Sequence, residues 1–127
     1  MEKNLKERTT QFALRIIRLY SALPERGVTR VLGNQLLKSG TSVGAHYREA
    51  QRAKSNADFI SKIEGSLQEL DETMYWLELL ADSGVVVRRR LEPLHEEAEE
   101  LLSILVTIVK RVKSKGSLKK LRVRTVR

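Results

Sequence analysis

Between residues 60 and 81 the apolar side chains Ile60, Ile63, Leu67, Leu70, Met74, Leu77 and Ala81 follow one another at alternating steps of three and four. That spacing draws a narrow apolar stripe along an α-helix, whereas a strand presents every second residue to the same face. So narrow a stripe is covered most economically by other helices crossing at a shallow angle, the geometry of bundles and coiled coils. Ser55 and Asp58 in "SNAD" form a helix-start box, and Asp82-Ser83-Gly84 supplies the stop.

The rest of the chain provides the partners. Phe12, Ile16, Leu19 and Leu23 recur at steps of four, three and four before Pro24, which predicts a first helix over about 5–23. A second, over about 29–53, places Leu32, Leu36, Ser39, Val43, His46 or Tyr47, and Ala50 on one face. Beside them Gly40 and Gly44 lie one turn apart and leave bare backbone, so we assign both to close helix packing, against another helix or a second subunit. A helix broken at Ser39 and Gly40 is the alternative. A fourth helix begins between Arg88 and Pro93, because proline fits the first turn, and continues through Leu94, Ala98, Leu101, Leu105, Ile108 and Val112. Its acids Glu92, Glu96, Glu97, Glu99 and Glu100 gather in the first half, as the helix dipole prefers.

With only 2 prolines, 7 glycines and no alternating segment among 127 residues, an all-β fold lacks its turns. The expected fold is all-α, an up-down-up-down four-helix bundle over residues 1–115, followed by a basic, flexible C-terminal tail over 116–127. Small residues on the second helix and Trp76 off the third helix's stripe point to self-association as well.

Charge is unevenly placed. Nine of the 24 basic residues and none of the 16 acids fall in 110–127, leaving 15 bases against 16 acids in the first 109 residues. The nine, Lys110, Arg111, Lys113, Lys115, Lys119, Lys120, Arg122, Arg124 and Arg127, are the candidate nucleic-acid-binding residues. Cations so concentrated release condensed counterions on meeting a polyanion and bind it with little sequence preference. A purely solubilising tail is the bland alternative. Val123 and Val126 offer too little apolar area to insert in a membrane.

Catalytic chemistry finds no footing. There is no cysteine, no phosphate-cradling or dinucleotide loop and no nucleophile elbow. Glu92-x-x-His95 is the only Glu-x-x-His pair, where bundle di-metal sites use two. We therefore expect no metal, no cofactor and no enzymatic activity. The start "MEKNLKERTT" lacks the apolar core of a signal peptide and no apolar run spans a bilayer, so a cytoplasmic protein is expected.

The stretch "QLLKSGTSVGAHYREAQRAKSNADFISKIEGSLQELDETMYWLELL" resembles the four-helix-bundle proteins encoded in intervening sequences of bacterial 23S ribosomal RNA genes, with similarity over nearly all of residues 5–112. The resemblance implies a small all-α protein that assembles as a ring-like homopentamer, has no known enzymatic activity and acts on or near nucleic acid. Related bundles are accessory proteins of diversity-generating retroelements and bind a reverse transcriptase and its RNA. Where many members carry an Asn-Ile-Ala-Glu-Gly-like run, this chain reads "GAHYREA".

Overall fold

A computed structural model describes the backbone of residues 4–126 and the side chains of residues 4–116. The described residues form four α-helices and no strand: α1 (Leu5–Ala22), α2 (Gly27–Gln51), α3 (Asn56–Asp82) and α4 (Arg88–Val126). The caps act where the sequence placed two of them. Ser55 Oγ accepts the Asp58 N–H at 3.0 Å, and an Asp58 carboxylate oxygen accepts the Lys54 N–H at 3.3 Å. Gly84, at φ +78°, adopts the left-handed conformation after α3, and the Val86 N–H then closes on the Leu80 carbonyl.

Successive helices pack against each other, and a smaller contact joins α1 to α4. Contacting residues run in opposite chain order: Gly33, Gly40 and Gly44 of α2 meet Tyr20, Ile16 and Thr9 of α1. The glycines act inside the chain. A Cβ on Gly40 would stand 2.6 Å from Ile16 Cγ1, and one on Gly44 would stand 3.1 Å from Thr9 Oγ1. Thus the small residues seat α1 in α2, and α2 passes unbroken through Ser39 and Gly40.

The core is one cluster, with Leu5, Phe12, Ile16, Leu36, Ile63, Leu70, Leu77, Leu101 and Leu105 almost wholly shielded. On α3 the buried line is Ile63, Ser66, Leu70, Thr73, Leu77 and Leu80, while Ile60, Leu67, Met74 and Ala81 are half-buried. The centre of the face is displaced toward α2, where two polar residues find partners. Ser66 Oγ donates to the Val43 carbonyl at 2.8 Å; Thr73 Oγ1 lies 2.9 Å from Ser39 Oγ and 2.7 Å from the Glu69 carbonyl. Satisfied hydroxyls can be buried at little net cost. Tyr47 takes the buried place on α2, and His46 stays at the rim.

The fourth helix starts at Arg88, the early limit of the expected range, so Pro93 sits in its second turn rather than its first, where the Arg89 carbonyl loses its usual N–H partner. The same start puts Arg88, Arg89 and Arg90 in the first turn and no acid there, so the dipole does not account for the glutamates. Glu97, Glu99 and Glu100 have particular side-chain partners instead. At the other end the backbone stays helical through Gly116 to Val126, across the segment expected to be a tail.

Candidate nucleic-acid interface

The last part of α4 with described side chains carries Lys110, Arg111, Lys113 and Lys115, all exposed. Ile108 and Val109 are buried and Val112 is half-buried against the core, so packing fixes which side of the helix the cations occupy. Lys113 Nζ lies 3.7 Å from Glu64 of α3, a pair more than half exposed at both ends and worth at most about 1 kcal/mol. Lys110, Arg111 and Lys115 make no ion pair among the described residues. Lys119, Lys120, Arg122 and Arg124 continue the helical backbone, their side chains outside the described residues; Arg127 lies outside them altogether. Here the chain offers unneutralised cations on a scaffold that already holds its shape, suited to phosphate oxygens.

Earlier in α4 the acids are occupied. Arg8 of α1 donates to both Glu97 carboxylate oxygens, at 2.8 and 3.2 Å, and lies 3.0 Å from Glu100. The hydrogen bond to Glu97 raises the Arg8 guanidinium further above its ordinary pKa. This two-pronged clasp is the main polar tie between α1 and α4. His95 bridges α4 and α3, with Nε2 2.9 Å from Glu78 and Nδ1 3.3 Å from Glu99. His46 repeats the arrangement between α2 and α3, with Nδ1 2.9 Å from Glu49 and Nε2 3.5 Å from Glu69. Gly65 makes room for that ring: a Cβ there would meet His46 Cγ at 3.1 Å.

Arg88 pairs with Asp82, and that hydrogen bond raises the Arg88 pKa. Between α3 and α4 a cleft of about 430 Å³ is lined by Glu78, Asp82, Glu92, Glu96 and Glu99 together with Arg88 and His95. Its carboxylates would repel a nucleic acid, which leaves the cationic end of α4 as the better surface. No group of three or more His, Asp or Glu among the described residues is arranged to hold a metal ion. Nor is any described helix long and apolar enough to cross a membrane.

Sequence reasoning missed the Arg8 clasp and both histidine bridges, because each joins residues on different helices. The Glu92-x-x-His95 spacing points to Glu92, yet the partners of His95 are Glu99, four residues on, and Glu78. The four-residue spacing to Glu99 was the available signal.

Residues 2–107 match the family described as "23S rRNA-intervening sequence protein". The match stops before Lys110, so the nine C-terminal cations lie beyond it. A solved structure from Bacteroides thetaiotaomicron VPI-5482, described as a protein with unknown function from the S23 ribosomal protein family, is 39% identical. The likeness covers 83% of this chain and 97% of that one, with a TM-score of 0.76. No curated protein matches the chain. Four helices of this arrangement, matched over most of their length, make the chain a member of the 23S rRNA-intervening sequence protein family.

Proposed function

We propose that this protein is a non-enzymatic, oligomeric bundle of up-down-up-down topology that binds nucleic acid, RNA or DNA, largely through charge. The observation that carries the reading is the set of exposed cations at the end of α4, of which Lys110, Arg111 and Lys115 have no acidic partner among the described residues. Their helix is anchored by Ile108 and Val109, so the phosphate-binding surface needs little ordering on contact. A bacterial homopentamer, expected from the family resemblance and placed in the cytoplasm by the lack of a signal-peptide pattern, would gather several such ends in one particle and multiply their avidity. Replacing all nine cations by glutamine tests the assignment. Labelled RNA should bind the parent and lose at least about tenfold in affinity for the variant at 0.1 M salt; equal binding by both refutes the role of α4.

A second reading is a protein-interaction scaffold, such as an accessory subunit of a retroelement reverse transcriptase. It is favoured by large apolar side chains left in solvent, among them Ile17, Val28, Val31, Tyr75 and Val87. Co-purification of a neighbouring reverse transcriptase with the nine-glutamine variant would favour this reading over the first.

A further inference from the structure

The α1–α4 seam holds opposite contents at its two ends. Where Arg8 meets Glu97 and Glu100 the guanidinium is neutralised. Seven residues is two helical turns, about 10 Å, and returns to nearly the same face. Arg15 therefore shares the Arg8 face of α1, and Arg90 shares the Glu97 face of α4. Since α1 and α2, α2 and α3, and α3 and α4 each meet in opposite chain order, α1 and α4 run oppositely too, and these two steps lead the same way along the seam, toward Arg15 on α1 and Arg90 on α4. Arg18 and Arg89 flank them, one turn on and one residue back, and both are exposed.

No acid pairs with any of these four, although Glu92 lies one turn after Arg89. Residues 8–24 contain three arginines and no carboxylate, and residues 83–91 likewise contain three and none. Arg88, the remaining arginine of that stretch, is taken by Asp82. Arg15, Arg18, Arg89 and Arg90 make no side-chain hydrogen bond or ion pair among the described residues. Arg89 and Arg90 also stand in the first turn of α4, where the helix dipole opposes positive charge. Like charges gathered along a seam, two of them against a dipole, weaken the fold unless an anion joins them.

We propose that these four arginines form a phosphate-binding site for a nucleic-acid backbone, at the pole of the bundle where α4 begins. The site rests on the nucleic-acid reading and adds a surface distinct from the cationic end of α4. Guanidinium forks match phosphate oxygens in pairs, which suits a cluster composed of arginine alone. Nucleic acid reaching both ends of the protein would cross the acidic stretch of α4 between them and touch cations on either side of it.

Fluorescence anisotropy with a labelled 20-base-pair RNA duplex tests the site in the full chain. The variant R15Q/R18Q/R89Q/R90Q should bind at least about tenfold more weakly at 0.1 M salt, with a salt slope shallower by about 0.9 for each phosphate no longer engaged. R89Q/R90Q alters only exposed residues, so it should show a smaller loss of the same kind with its melting temperature retained. The same losses should persist in a background with Lys110, Arg111, Lys113 and Lys115 changed to glutamine, since the two sites are separate. Unchanged affinity and slope in R89Q/R90Q and the quadruple variant, while the parent binds, would overturn the arginine site alone. A parent that ignores the duplex would overturn the nucleic-acid reading with it. Displacement of the duplex by poly-L-glutamate as effectively as by unlabelled duplex would overturn phosphate recognition in favour of an acidic protein partner.

Discussion

A single missing Cβ decides how closely α1 approaches α2. At Gly40 an added methyl would press on both Cγ atoms of Ile16, at 2.6 and 2.8 Å. Those atoms sit at the branch of a stiff side chain that cannot swing aside. Gly40→Ala should therefore lose about 1–3 kcal/mol in urea unfolding, despite alanine's better helix propensity. Gly116→Ala meets no atom within 4 Å and should raise the helical signal of α4. The glycine pair was visible in the sequence as a bare stripe, but spacing alone names no neighbour. Only the fold shows that Ile16 and Thr9 fill it. Ser66 and Thr73 were hidden for a different reason: a polar residue on a periodic face reads as pointing outward until a facing carbonyl or hydroxyl is known. Ser39 and Thr73 form such a pair across α2 and α3. A double-mutant cycle with Ser39→Ala and Thr73→Val should give a coupling of about 0.5–1.5 kcal/mol; additive losses would mean the hydroxyls do not interact.

Among the elements, the first three helices follow their apolar periods closely, and their ends fall within a few residues of the expected ones. The fourth starts at Arg88, the early limit of its expected range, although its first turn contains no apolar repeat, and its proline falls in the second turn rather than the first. Three arginines beginning a helix are held instead by the turn at Gly84, by the buried Val86 and Leu91, and by the Arg88–Asp82 pair. If α4 begins at Arg88, Pro93 costs the helix a backbone hydrogen bond. Pro93→Ala should then stabilise the protein by about 1–3 kcal/mol, whereas a start at Pro93 would make the change nearly neutral. The clasp between α1 and α4 gives a second prediction at this scale. Arg8→Gln removes a forked, partly shielded pair and should cost about 1 kcal/mol, with Glu97→Gln adding little more once Arg8 is gone.

Taken as a whole, the molecule is not the neutral body with a basic appendage that its charge count describes. Near-neutrality of the first 109 residues conceals a segregation: arginines where α4 begins, carboxylates along its next turns, then lysines and arginines toward its end. Sequence could total those charges but not show that Arg8 takes Glu97 and Glu100 while Arg15, Arg18, Arg89 and Arg90 pair with no acid among the described residues. Copies of the chain should also meet: native mass spectrometry is expected to give a closed homo-oligomer, five subunits by the family resemblance, and a monomer would remove the avidity argument. The central claim is that the cationic surfaces attract polyanions by charge. Affinity of the intact protein for an RNA duplex, followed from 50 to 200 mM salt, tests it most directly. With six or more phosphates engaged the association constant should fall by about a thousandfold or more, and binding that is absent at low salt or indifferent to added salt would contradict the account.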